Sequence, residues 1–260
     1  MQITRTSSSH RRKARAGAAF TLMETVIAIG VLAVLLTGFI AVFTPAAQGI
    51  RRSISSQQAD RLTSTLEREL VTLRDGQIPS ATTTPSAKTG FEKGFTWLRE
   101  GNSATDPKAI FVYQYRGDPT SIRADGTMAP MATITGQPGS NYIVQSMARR
   151  ADDSLLQSDL TALEGPIFFV KPTQLVFSGN QMVLGTPGEI ANPVPLPVRT
   201  PEYPAKPTIA DDYADAVIAF SAEFHGVPAK SYAYLTGADF KSRFATVKNP
   251  VFTRNLAIRR

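Results

Sequence analysis

Catalysis and metal binding usually depend on side chains that this chain of 260 residues holds in small numbers. It has no cysteine, which excludes disulfides, zinc-thiolate sites, iron–sulfur clusters and cysteine nucleophiles. Of its two histidines, His10 lies in a basic N-terminal stretch, and His225 precedes a glycine at the end of an apolar run. The motifs of serine hydrolases, P-loop proteins and HExxH metalloenzymes do not occur. We therefore expect no enzyme activity, and we expect His225 to be a turn or surface residue.

Carboxylates offer the remaining route to a metal site. Asp211, Asp212 and Asp215 lie close together in the sequence, and calcium takes oxygen ligands of this kind. Aspartates are equally favoured where a helix begins, so a solvated turn or helix start is the simpler interpretation. We keep the three residues as candidate calcium ligands and expect no other cofactor. Residues 149–153 (RRADD) are expected to form local ion pairs.

Glu24 is the one charged residue in an otherwise uncharged apolar stretch, residues 20–43 (FTLMETVIAIGVLAVLLTGFIAVF). As a helix this stretch is about 36 Å long, enough to cross a hydrocarbon core of about 30 Å. A carboxylate costs about 2.5–3.5 kcal/mol at the centre of a bilayer unless it is protonated or paired. A cut before Phe20 would create an α-amine about one helical turn from Glu24. That amine could neutralise the carboxylate within one chain or between neighbours.

The residues around this position form a recognisable pattern. A short basic leader ends in the small residue Ala19, and Phe20-Thr21-Leu22-Met23-Glu24 opens the apolar helix. Residues 10–75 thereby resemble the N-terminal region of type IV pilins and type II secretion pseudopilins. One departure is Ala19, where the family usually has glycine.

The resemblance implies a function for the two ends of this motif. Prepilin peptidase would cut between Ala19 and Phe20, and the same enzyme would N-methylate Phe20. Glu24 would pair with the N-terminus of a neighbouring pilin-like subunit during assembly.

The basic charge also predicts a topology. Five of the bases lie in residues 1–19, which hold no acid, and the other 241 residues carry 23 bases and 21 acids. The basic leader should stay in the cytoplasm, which places the C-terminal domain in the periplasm or outside the cell. A secretory signal peptide is the alternative, but its apolar region should be 7–15 residues long. Because the net charge of +7 is mostly in the leader, we expect no nucleic-acid partner.

Four segments follow from this organisation: a basic leader (1–19), a transmembrane and assembly helix (20–44), its amphipathic extension (45–76) and an exported β-rich domain (77–260). Pro45 and Gly49 predict a kink or a brief break. The extension carries an apolar stripe that should pack on the chain's own domain, with its upper part available to neighbouring subunits. The stripe consists of Ile50, Ile54, Leu62, Leu66, Leu70 and Leu73.

The exported domain is predicted to be mainly antiparallel β, giving an α+β fold. Residues 77–108 should be a loop with a short element at 95–99, residues 155–163 a short helix, and the six-proline segment 193–207 an extended surface strap. Ser178-Gly179-Asn180 predicts a hairpin. Arg259-Arg260 should be a frayed tail. Strands are predicted at 109–115, 142–147, 167–170, 174–178, 181–184, 216–224 and 231–235. In the first of these, alternation should place Ile110, Val112 and Gln114 on one face and Phe111, Tyr113 and Tyr115 on the other.

These features favour a structural subunit of a pilus or secretion pseudopilus in a bacterial inner membrane. The size of the domain suggests a minor or specialised subunit. The alternative is a monomeric, single-pass anchored protein whose periplasmic domain binds or scaffolds. An exported hydrolase that uses His225 is a third hypothesis. The partner system, any cargo or adhesion target, and the strand order are not evident from the sequence.

Overall fold

The computed structural model describes residues 21–74, 89–133, 136–193 and 203–260. The chain divides into two compact units at Arg51–Arg52. The fold is α+β, as expected, with a long N-terminal helix followed by an antiparallel sheet. Its helices are α1 (Leu22–Val71), α2 (Gly90–Gly101), α3 (Leu156–Leu160), α4 (Tyr232–Thr236), α5 (Ala238–Thr246) and one 3-10 turn (Ala210–Asp212). Its strands are β1 (Ile110–Ile122), β2 (Met128–Pro130), β3 (Ile143–Arg150), β4 (Leu163–Ser178), β5 (Gln181–Leu184), β6 (Val217–Gly226) and β7 (Phe252–Arg259).

The sheet of the second unit separates two apolar cores. Its strands run in the order β2-β1-β4-β6-β7, with β3 also beside β1 and β5 beside β4, and all these pairs are antiparallel. Ile110 and Val112 face one core with α2 and residues 59–70 of α1. Phe111 and Tyr113 alternate with them and face the other core, with α4 and α5. The predicted alternation of β1 is confirmed.

Several predictions of local structure are wrong, because tertiary contacts decide them. Residues 90–101 form α2, where a loop with only a short element at 95–99 was expected, since Phe91, Phe95 and Leu98 supply a buried helical face. Residues 232–236 form α4 rather than a strand, with Ser231 Oγ accepting a hydrogen bond from the Tyr234 N–H at 3.3 Å. Helix α1 continues through Pro45 and Gly49, so the brief break expected there as the alternative to a kink does not occur.

The C-terminus is ordered rather than frayed. Arg259 ends β7, which the sequence analysis missed, and the Arg260 N–H donates to the Ala216 carbonyl at 2.8 Å. The Arg260 guanidinium also lies over the Phe91 ring, 5.0 Å from its centroid. The last residue, although exposed, therefore contacts α2.

Other predictions are confirmed in outline. A short helix, α3, forms within 155–163, and the segments 167–170 and 174–178 belong to the single strand β4. Gly179 adopts φ 63° in the two-residue turn between β4 and β5, which confirms the hairpin. Residues 75–76, where the helix extension was expected to end, and 194–202 of the proline-rich segment lie outside the described residues.

Candidate functional site: the N-terminal helix

The first part of α1 presents an apolar surface whose side chains are exposed. Every side chain from Thr21 to Phe43 is exposed, and the mean hydropathy reaches 2.8 over an 18-residue window, none of it buried. Leu22–Phe43 forms a helical stretch about 33 Å long, so this helix is long and apolar enough to span a membrane. The hydroxyls of Thr25 and Thr37 donate to carbonyls of the same helix, each at 2.8 Å. These hydroxyls are therefore satisfied without water.

Glu24 lies in the first turn of this apolar helix, where it forms a reciprocal cap with Thr21. Its Oε2 accepts hydrogen bonds from the backbone N–H and the hydroxyl of Thr21, each at 3.3 Å. The Glu24 N–H in turn donates to Thr21 Oγ1 at 3.2 Å. This arrangement is a capping box, in which a side chain at each end satisfies a free backbone N–H. The cap keeps the carboxylate at the N-terminal end of the helix, four residues after Phe20 in the sequence; Ala19 and Phe20 lie outside the described residues.

The second part of α1 packs on the β-domain, as the apolar stripe predicted. Leu62, Leu66 and Leu70 are buried in the core that α2 shares. Ile50 and Ile54, at the upper end of the stripe, are exposed. The lower part of the stripe is therefore intramolecular, as expected, and contact of its upper part with a neighbouring subunit stays a prediction.

A buried ion cluster fixes the C-terminal end of α1 to the domain. Glu69 Oε1 lies 2.8 Å from Lys93 Nζ on α2, and Glu69 Oε2 lies 2.8 Å from an Arg74 guanidinium nitrogen. Lys93 also lies over the Trp97 ring, 4.7 Å from its centroid. Burial lowers the pKa of Lys93, and Glu69 opposes this shift. Arg74 also donates to the backbone carbonyl of Asp125 at 3.0 Å, which ties the helix end to the β1–β2 turn.

That turn belongs to a second, fully buried ionic network centred on Arg149. The Arg149 guanidinium contacts Asp159 at 2.6 Å, Asp125 at 3.0 Å and Asp153 at 3.1 Å. Asp159 also accepts from the Tyr113 hydroxyl at 2.7 Å and pairs with Arg123 at 2.6 Å. Burial lowers the pKa of Arg149, but Asp159 and the other partners raise it by more. Burial likewise raises the pKa of Tyr113 well above its ordinary value.

The candidate metal ligands do not come together in a site. Asp211 and Asp212 end the 3-10 turn and Asp215 follows it, which agrees with the simpler interpretation of a turn. Across the part of the chain that the structure describes, no group of three or more acidic or histidine side chains is placed to hold a metal ion. In residues 149–153, Arg149 pairs with Asp153, and Arg150 pairs with Asp152 at 2.6 Å, as expected.

His225 is buried rather than at the surface, so its predicted environment is wrong. Its side chain is 1% exposed and stacks on Phe169, with the ring centroids 5.0 Å apart. The charged groups on its face of the sheet are Glu223, whose Oε2 lies 3.4 Å from His225 Nε2, and Lys171 on the neighbouring strand. The ring is thus a packing element beneath α5, whose Phe244 also contacts Phe169.

This burial predicts acid sensitivity. Desolvation lowers the pKa of His225 below its ordinary 6.5, and Glu223 only partly opposes the shift. As the pH falls below about 6.5 the unfolded chain takes up the proton first, so stability falls with decreasing pH. We expect His225→Phe, which keeps the ring stack, to flatten the fall in melting temperature between pH 7 and pH 5. Thermal unfolding in mild detergent at stepped pH tests this, and an unchanged slope in the variant would contradict it.

The structure thus brings Glu24 and Thr21 together at the start of an exposed apolar helix. The candidate ligands Asp211, Asp212 and Asp215 lie in and after a 3-10 turn, and His225 packs on Phe169, so these residues do not form one site. Sequence reasoning predicted local pairs in residues 149–153 but missed the rest of the Arg149 network and the Glu69 cluster, because they include partners that lie far apart in the chain. No family model matches the chain, and no curated protein or solved structure matches it either.

Proposed function

We propose that the chain is a structural subunit of a pilus-like or pseudopilus-like assembly, built around its N-terminal helix. The observation that carries the proposal is a single carboxylate, Glu24, held by Thr21 at the first turn of an uncovered apolar helix. A plain anchor has no use for a charge there, because burying it in lipid costs free energy. In an assembled subunit, the α-amine of a neighbour can pair with this carboxylate and neutralise its charge.

Processing and topology complete the proposal. The basic leader stays on the cytoplasmic side of a bacterial inner membrane, and the β-domain lies in the periplasm or, after assembly, outside. Prepilin peptidase cuts between Ala19 and Phe20 and methylates the new α-amine of Phe20. The motif of residues 19–24 and its resemblance to prepilins support this step.

The assembly step follows from the chemistry of the helix. While the subunit is stored in the membrane, lipid covers the apolar side chains of residues 22–43. On extraction, neighbouring apolar helices replace the lipid, and Glu24 meets the Phe20 amine of the next subunit. The β-domain, fixed to the same helix through Leu66 and Glu69, is carried outward. Its size supports a minor or specialised subunit, and the proposal assigns it no catalytic activity and no cofactor.

The composition of the native complex tests this function. The full-length protein is extracted from the membranes of its own cells in mild detergent, after brief chemical cross-linking, and its partners are identified by mass spectrometry. We expect it in a complex with other chains that start with an apolar helix and a fifth-position glutamate. A monomer in every detergent, with no such partner after cross-linking, would contradict the proposal. That result would favour a single-pass anchored binding or scaffolding protein.

A further inference from the structure

The β4–β5 hairpin is an apolar ribbon that the rest of the domain leaves uncovered. The register pairs Leu175 with Leu184 and Phe177 with Met182, which places these four side chains on one face. Phe177 is 65% exposed, Leu184 56% and Met182 49%. A two-stranded ribbon is marginally stable in water, so a further strand at its free edge would stabilise it.

The outer edge of β5 is unprotected, unlike the other sheet edges. Four described strands have a single neighbour: β2, β3, β5 and β7. Strand β7 carries Arg254 and Arg259, β3 carries Arg149 and Arg150, and β2 ends in Pro130. Charges and prolines on an edge strand prevent pairing with another chain. The sequence of β5, Gln-Met-Val-Leu, has neither.

The chemistry of the hairpin indicates what kind of partner pairs with its free edge. No charged residue occurs between Lys171 and Glu189, so two copies can approach here without charge repulsion. The tip is polar (Ser178, Asn180 and Gln181), while the apolar side chains lie along the strands. A loop that enters a bilayer would carry its apolar side chains at the tip, so this distribution fits a protein partner better than lipid. The free backbone groups of β5 can be paired by an extended strand, which is the partner that suits an open sheet edge.

We infer that β5 of one chain pairs with β5 of a second copy. A two-fold axis between the two strands makes the contact self-complementary, with each β5 donating and accepting backbone hydrogen bonds. The two ribbons then form one four-stranded sheet, and the faces that carry Phe177 and Met182 become continuous. This inference rests on the hairpin alone and requires neither cleavage at Phe20 nor pairing by Glu24.

The lack of native cysteine gives a direct test. Single variants Met182→Cys and Val183→Cys are made in the full-length chain and oxidised in membranes, where a disulfide dimer can form only between two copies. Facing residues of paired strands come close enough for a disulfide. The matched control is Thr253→Cys, an exposed position on the charged edge strand β7. We expect at least tenfold faster dimer formation at one of the β5 positions than at the control.

Two further variants keep the result interpretable. Phe177→Ser, added to the β5 cysteine variant, should reduce the dimer rate several-fold because it removes the largest exposed side chain of the ribbon. Glu24→Leu, added in the same way, should leave the ratio of β5 to β7 cross-linking unchanged, which separates this contact from helix-driven assembly. Equal rates at β5 and β7, no dimer at either β5 position, or β5 adducts only with other proteins would each overturn the inference. Circular dichroism checks that each variant keeps its sheet.

Discussion

Replacing Glu24 by leucine should reduce the incorporation of the chain into its complex by about a hundredfold, with membrane insertion unchanged. An unpaired carboxylate costs about 2.5–3.5 kcal/mol at the centre of a bilayer, and pairing with the neighbour's α-amine on assembly relieves that cost. Leucine at position 24 has no such cost to relieve, so this driving force for assembly is lost. About 1.4 kcal/mol corresponds to a tenfold change in an equilibrium, so losing the pair removes most of the assembled form. The measurement is the fraction of the variant recovered in the cross-linked complex, relative to the fraction in the membrane.

The Thr21–Glu24 cap makes glutamine the informative second substitution. Glutamine at position 24 can still accept the hydrogen bond from the Thr21 N–H, since capping boxes use glutamate or glutamine. It cannot pair with an amine as an ion. We therefore expect Glu24→Gln to fail in assembly almost as completely as Glu24→Leu. Normal assembly of Glu24→Gln would show that the residue acts only as a cap. Glu67→Gln, an exposed glutamate on the second part of α1, is the control and should assemble normally.

Replacing Asp159 by asparagine should lower the free energy of unfolding of the β-domain by about 3–5 kcal/mol. The Asp159 side chain is fully buried, and its oxygens contact Arg149, Arg123 and Tyr113. Asparagine offers one acceptor oxygen and no charge, so Arg149 stays buried with less compensation. The measurement is denaturant unfolding of the full-length chain in mild detergent, followed by the circular dichroism of the sheet.

The same substitution at Asp152 is the matched control. Asp152 pairs with Arg150, but its side chain is 44% exposed, and exposed ion pairs contribute about 0–1 kcal/mol. We expect Asp152→Asn to change the free energy of unfolding by less than about 1 kcal/mol. Equal effects at the two positions would show that the Arg149 network is not the stabilising element described above.

The sequence predicted those parts of the fold that are set by local periodicity. The alternation around Phe111 and Tyr113 gave the two faces of β1, and the leucines at 62, 66 and 70 gave the buried side of α1. Strand β7 also carries such a signal, since Leu256 and Ile258 alternate towards the core. Arg254 breaks that alternation, because its side chain reaches Asp60 on α1 at 2.7 Å instead.

The ionic networks could not be predicted, because they depend on pairing across the chain. Arg149 and Asp153 are neighbours in sequence, but Asp125 is 24 residues from Arg149, and Lys93 is 24 residues from Glu69. The strand register pairs Arg149 with Phe111, near the start of β1, and only the tertiary fold brings Asp125 of the β1–β2 turn to its guanidinium. The burial of His225 is a similar case, since β6 pairs it with Phe169 in the centre of the sheet.

The N-terminal residue and intact mass of the protein extracted from its native membranes test the proposed assembly function most directly. We predict a chain that begins at Phe20 with one methyl group on the α-amine. A chain that begins at Met1 would leave an uncleaved anchor, and one that begins near Gln48 would be a secreted domain without its apolar helix. Either of those results would contradict the proposed assembly function.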